Sequence, residues 1–297
     1  MDIGFGLPVG GSWATPDNVA EIAGRAEELG YATLWTYQRL LVPADAPAGP
    51  QYRSVLDPVT VLGFAAAVTS RIRLGTGIVN LPFQSPVLLG KQLTTLDVLS
   101  GGRLVAGVGL GWSEEEFVAS GVDFARRGAR AEEYLAALRA VWGPDPVSFS
   151  GEFYTIPSSL IAPKPVQKPH PPLILGGGAP VALRRAGRVG DGWVSSSRED
   201  AEALGEKIER VREAAREAGR DPASLRFVCR GVVRVGQRRK ALSGSYDEIR
   251  ADLERIADAG MDEVFVDLNF DPAVGNPDVD PAAAMTRARE VLEALAP

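Results

Sequence analysis

The residues of this 297-residue chain best suited to chemistry are glycines with polar or aromatic neighbours, not clustered acids, bases or metal ligands. Gly75-Thr76-Gly77-Ile78, with Asn80 just beyond, closes one apolar run; Gly109-Leu110-Gly111-Trp112 closes a second; Gly176-Gly177-Gly178-Ala179-Pro180 closes a third and opens a helix. A glycine lets backbone approach a ligand closely because no Cβ stands between them. Glycines ahead of a helix N-terminus also turn backbone N–H groups toward an anion along the helix dipole, so 176–178 has the outline of a phosphate site. A tight turn with nothing bound is the other reading of the same residues. Tyr37-Gln38-Arg39 ends a further apolar run and suits substrate binding or the orientation of a water, with a polar loop rim as the alternative.

Several chemistries are disfavoured by what is missing. His170 is the single histidine, so no histidine cluster can hold a metal, and its place in a proline-rich connector argues against a Ser-His-Asp triad. Cys229 lies in the apolar run 227–235 and reads as a packed strand residue; as the one cysteine it excludes an intrachain disulfide. Glu114-Glu115-Glu116 reads as a helix first turn, where carboxylates meet the positive end of the dipole. A net charge of -6 disfavours nucleic acid or an anionic membrane as the main partner, while leaving room for a local basic pocket. The opening MDIGFGLPVG is too glycine-rich for a signal peptide, and no apolar run reaches membrane-spanning length, so a soluble cytoplasmic protein is expected.

The elements that must position these residues alternate. Strands are expected at 3–7, 33–36, from Ile72, 104–108, 173–175, 191–194, 226–235 and 262–268. Helical periodicity follows each, as in Val19, Ile22, Ala23, Ala26 and Leu29 after Thr15-Pro16, or Ile249, Leu253, Ile256 and Ala257. Eight such repeats imply a parallel sheet with covered faces and predict a (β/α)8 TIM barrel, one domain over 1–297. An insertion at about 144–172, between the fourth and fifth strands, is expected to hold a small hairpin at 147–154 and an extended proline-rich connector. The segment 37–51 is long for a connection and is expected to act as a lid. The glycine and aromatic groups then fall at the strands' C-terminal ends, a setting that suits a bound cofactor carrying the chemistry.

GFGLP at 4–8, EELGYATLW at 27–35, RIRLGTGIVNLP at 71–82, TLDVLSGGRLVAGVGLGWSEEEF at 95–117, PPLILGGG and GRVGDGW together resemble the luciferase-like monooxygenase superfamily. The likeness covers nearly the whole chain and is greatest to the branch of coenzyme F420-dependent oxidoreductases. It implies the same barrel and a bound deazaflavin, with FMN and oxygen-dependent chemistry as the alternative. It further implies a bulge after the third strand, often with a non-prolyl cis peptide, pressing under the ring system at Gly77-Ile78. Asn80 would reach the ring edge, Gly109 and Trp112 would line the pocket, and Gly176, Gly177 and Gly178 would hold the cofactor phosphate. For Trp112 a core or rim anchor is the alternative. Arg184 and Arg185 would meet a polyanionic tail or serve only in surface ion pairs.

Two departures bear on the reaction. Many relatives carry Asp-His after the second strand, where this chain has Tyr37-Gln38, and some carry a glutamate where Leu110 stands. No catalytic residue is therefore assigned from the resemblance; Tyr37, Gln38 and Arg39 are expected to contact a small-molecule substrate. A barrel that binds the cofactor without turnover is the competing reading. The resemblance also implies a homodimer through the helices beside the second to fourth strands.

Overall fold

The computed structural model describes residues 1–45 and 49–297. Eight parallel strands, Asp2–Gly6, Thr33–Thr36, Arg73–Thr76, Leu104–Gly109, Leu173–Gly176, Gly192–Val194, Arg226–Val232 and Glu263–Asp267, pair in sequence order, and the ladder closes where the third meets the fourth and the first meets the eighth. Each is followed by a helix, beginning with Pro16–Leu29 and ending with Pro281–Ala294. This is the expected (β/α)8 barrel.

Local chemistry explains the helix starts. Thr15, Asp57, Ser85 and Asp280 each precede a proline at the first helical position and accept a backbone N–H from within the first turn. Proline's fixed φ and missing N–H suit that position, and the oxygen satisfies one of the orphaned donors. Ser245 and Glu248 form a reciprocal capping box at Tyr246–Asp258.

The barrel interior is filled by Trp35, Val105, Ile174, Val194, Val228 and Phe265, with Ile78 packed against them. Trp35 and Phe265 stack at 5.1 Å. The indole N–H donates to the buried Glu263 carboxylate at 2.7 Å, which also pairs with Arg226 at 2.8 Å. Gly75 makes room for the indole: a Cβ there would lie 2.5 Å from it.

Several boundaries differ from the expected ones. The hairpin in the insertion pairs Val147–Ser150 with Thr155–Ser159, so its return strand starts later. The reason is Glu133, whose carboxylate accepts the backbone N–H groups of Glu152, Phe153 and Tyr154 and holds them in the turn. The seventh strand stops at Val232, and Arg234–Val235 pairs instead with Ser243–Gly244. Residues 201–203 form a 3-10 turn ahead of the helix Leu204–Glu217. In the long connection 37–51, expected to act as a lid, residues 46–48 lie outside the described residues.

Glu27, in the first helix, fixes the entry to the third strand by accepting N–H groups from Ser70, Arg71 and Ile72. Burial pushes its carboxyl up, but those backbone donors outweigh burial and hold it at about 2. A depressed carboxyl stabilises the fold above its unfolded pKa and loses that contribution as pH falls through the folded value. Glu27→Gln is therefore expected to lower the melting temperature at neutral pH. The gap to the natural protein should close between about pH 4.3, the ordinary glutamate value, and about 2; parallel thermal melts across that range check it.

Candidate functional site

A cavity of about 540 Å³ opens at the C-terminal end of the barrel strands. Its floor is the interruption in the third strand. From Gly75 to Val79 that strand advances four residues while the fourth advances three, Val105 to Val108, so one extra residue is extruded as a bulge. The Gly77–Ile78 peptide within it is cis. Ile78 sits in a seat made by absent side chains: a Cβ on Gly109 would come 2.6 Å from its Cδ1, and one on Gly176 would come 3.2 Å from its Cγ2. The backbone of Asn80 is pinned by its N–H donating to Gln38 Oε1 at 2.8 Å.

One wall is built by the glycine turn and two helix starts. Gly176, Gly177 and Gly178 line the cavity and lead into Pro180–Val189, and Gly177 has φ +119°, a conformation few other residues adopt. Arg126, Arg127 and Gly128, at the start of Arg127–Trp142, line it too. Neither helix carries a side-chain N-cap among the described residues, in contrast to the five capped ones. Uncapped N-termini leave donors for another acceptor. Arg185 is buried beside them; it donates to Gly128 O at 3.3 Å, and its Nε has no hydrogen-bond partner among the described residues. Burial works against its charged form. Arg184, by contrast, is exposed and does not line the cavity.

A second wall is aromatic. Trp112, Tyr52, Phe270 and Tyr37 form a chain of neighbouring rings, with centroids 6.2, 5.4 and 5.4 Å apart. Trp112 is 61% exposed at the rim. Arg39 is buried; its guanidinium carbon lies 4.2 Å from the Trp112 ring centre and 4.9 Å from that of Tyr52. It pairs at 2.9 Å with Glu116, which also accepts the Leu40 N–H. The acidic triplet thus opens a short helix, Glu114–Ala119, as expected, while Glu116 has the added task of holding Arg39. Tyr37 is buried, its hydroxyl donating to Gln51 O at 2.8 Å. Burial first, then the charge of Asp267, push its phenol up, so it keeps its proton at neutral pH.

Of the residues singled out at the strand ends, Tyr37, Gln38, Arg39, Gly77, Ile78, Asn80, Gly109, Trp112 and the 176–178 turn all line this one cavity. Sequence reasoning passed over Arg126, Arg127, Arg230, Tyr52 and Phe270. Arg230 carried a signal: it is a charge inside the apolar run FVCRGVV. Among the described residues the charged side chains of the lining are five arginines, with no carboxylate. Cys229 is buried, with its thiol pushed up to about 12 by burial, and His170 packs against Trp142, away from the cavity. No group of acids, histidines and cysteines suited to a metal occurs among the described residues.

The site is an arginine-lined cavity with a glycine floor at the C-terminal face of a parallel barrel, where barrels of this kind carry their active sites. The chain is a member of the luciferase-like monooxygenase family, whose pattern matches residues 4–292. It is 36% identical to an uncharacterised protein of Mycobacterium tuberculosis over 214 residues, 68% of this chain and 75% of that one. An FMNH2-dependent dimethylsulfone monooxygenase of Pseudomonas putida is 34% identical over 54% of this chain and 44% of its own length. An F420-dependent glucose-6-phosphate dehydrogenase of Amycolatopsis mediterranei is 31% identical over 65% of this chain and 57% of its own. Among solved structures, the fold matches the monooxygenase RslO1 of Streptomyces bottropensis (TM-score 0.81, 24% identity, 99% and 98% coverage). It also matches the coenzyme F420-dependent tetrahydromethanopterin reductase of Methanopyrus kandleri (0.77, 17%, 100% and 98%).

The Arg39–Glu116 pair sets the aromatic wall. Removing one member of a buried pair strands the other charge, a cost of about 3–5 kcal/mol. Glu116→Gln is expected to lose about 3 kcal/mol in urea denaturation and to change Trp112 fluorescence.

Proposed function

We propose that this protein is an oxidoreductase that binds coenzyme F420 and transfers a hydride between it and a small organic substrate, with FMN as the alternative cofactor. The observation that carries the reading is the wall at 176–178: a glycine turn, two uncapped helix starts and the guanidiniums of Arg126, Arg127 and Arg185 on one side of a cavity whose described lining holds no carboxylate. That donor set fits a phosphate-bearing tail. The spread of three arginines beyond the turn favours a tail with further negative groups over a single terminal phosphate. Relatives named for each cofactor support both, and the deazaflavin is preferred on the sequence likeness.

The bound deazaflavin would supply the hydride chemistry. The chain's own part is placement. Gly77 and Ile78 offer a close backbone surface, and the aromatic wall excludes water from it. Tyr37 holds its proton at the hydroxyl oxygen. Gln38, in place of a histidine, has no proton to give and serves instead to fix the Asn80 backbone.

Fluorescence titration against oxidised F420 and FMN in parallel tests the reading. Micromolar or tighter quenching by F420 is expected, weakened at least about tenfold, or roughly 1.4 kcal/mol, in Arg127→Glu. Arg127 suits the purpose because it has no ion-pair partner among the described residues. Gly177→Asp should abolish binding, by repulsion and because its Cβ would lie 2.8 Å from that of Ala182. Preference for FMN would move the reaction to oxygen-dependent chemistry, and binding of neither would refute the proposal.

We further propose a homodimer through the helices Pro58–Val68 and Pro86–Leu99, which expose Phe64, Val68, Leu88, Val98 and Leu99 on neighbouring surfaces. Light scattering should report twice the monomer mass, reverting to a monomer in Leu88→Glu; a monomeric natural chain at micromolar concentration would refute it.

A further inference from the structure

One tightly held charge of the cavity lining, Arg230, lies outside both the glycine wall and the Arg39–Glu116 pair. Arg230 stands at the mouth of the seventh strand, and only about a tenth of its side chain is exposed. Its Nε donates to Asp267 Oδ2 at 2.7 Å, and Nη2 lies 2.7 Å from the same oxygen without forming a directed hydrogen bond. Nη1 reaches the carbonyl of Gly77, in the bulge, at the long distance of 3.3 Å. The guanidinium carbon is 4.6 Å from the centre of the Tyr37 ring and 4.4 Å from that of Phe270. Asp267 is itself locked, since its other oxygen accepts from both the N–H and the side-chain amide of Asn269. This guanidinium is held on three sides, with Nη2 enclosed beside Asp267, while Nη1, at the bulge that floors the cavity, has only a weak acceptor. A structural pair would use that donor fully; this one keeps it in reserve.

Building on the function proposed above, we propose that Arg230 is a catalytic residue that stabilises negative charge on a substrate oxygen, and that the more open rings of the aromatic wall, Tyr52 and Trp112, favour a planar conjugated carbonyl compound. Hydride addition to the β-carbon of an enone breaks the C=C π bond and places an electron pair on the carbonyl oxygen. The reduced deazaflavin is the two-electron donor, the enolate oxygen pairs with the guanidinium, and water returns a proton to the α-carbon. A preorganised cation near the developing charge does not have to reorganise during the reaction. Arginine suits the role because it stays charged when largely desolvated and stacks on aromatic rings. Tyr37 and Gln38, which line the same cavity, bring no positive charge.

The test uses 4-nitrophenol, whose anion mimics an enolate and absorbs apart from its neutral form. In the full-length protein, loaded with whichever cofactor it binds, the bound phenol is expected to titrate about one unit lower than in water, a tenfold preference for the anion. Arg230→Gln should abolish that shift and Arg230→Lys should keep part of it. If Arg230→Gln does not fold, Arg230→Met with Asp267→Asn removes both charges together and retains the oxygen that serves Asn269. Tyr52→Leu should weaken phenol binding and leave the titration shift in place. A wild-type protein that binds the neutral phenol, or none at all, overturns the proposal, as does a full shift surviving in the double variant. Cofactor titrations on the same samples separate the two claims. Failure of the natural chain to bind either cofactor would sink the proposed function, while the titration shift, read without cofactor, still decides the charge held by Arg230.

Discussion

The structure of the site depends on the seating of Ile78. One extra residue in the third strand forces its backbone out of the ladder between Gly75 and Val79, and the extruded side chain needs a place to go. It finds one because the fourth and fifth strands present Gly109 and Gly176 at that point. A methyl group at Gly109 would collide with it outright, so the floor and the wall are coupled through packing alone. The same glycines that admit Ile78 leave backbone open to the cavity above it.

Below this floor the barrel is closed by bulk and charge together. Trp35 and Phe265 occupy the interior, and the indole N–H is satisfied by a carboxylate that arginines neutralise from the barrel's other end. A rigid plug of this kind gives the bulge something to rest on, and Gly77 would meet Phe265 and Trp35 if it carried a Cβ. Above the floor the cavity is lined by guanidiniums in a chain whose net charge is -6. The acidic partners stand behind them: Glu116 behind Arg39, Asp267 behind Arg230, Glu152 beside Arg126. Carboxylates set back from the lining fix the cations in place without presenting negative charge to a ligand.

Much of this was legible in the residues. The eight strand–helix repeats appear as alternating periods, each glycine cluster marks a strand end, and the proline-headed helices announce their own caps. Every candidate residue fell at the same end of the barrel because parallel strands share one C-terminal face. What was hidden were partners distant in sequence. Glu133 gathers the N–H groups of the hairpin turn from 19 to 21 residues away, and Glu116 reaches Arg39 across 77 positions. Phe270 and Tyr52 lie in connections with no period to read, so nothing local marked them as part of a wall.

The sequence by itself determined the barrel and the position of its open end, because hydrophobic period, helix caps and glycine placement are local properties that each segment carries alone. Tertiary structure decided which arginines face the cavity. Arg184 and Arg185 are adjacent in the chain, yet one is exposed and the other buried against Gly128, since a helix turns about a hundred degrees per residue and only contact with its neighbour selects the inward face. It likewise decided that Arg230, a lone charge in an apolar strand, is paired rather than strained, because Asp267 and the Gly77 carbonyl meet it only when the barrel closes.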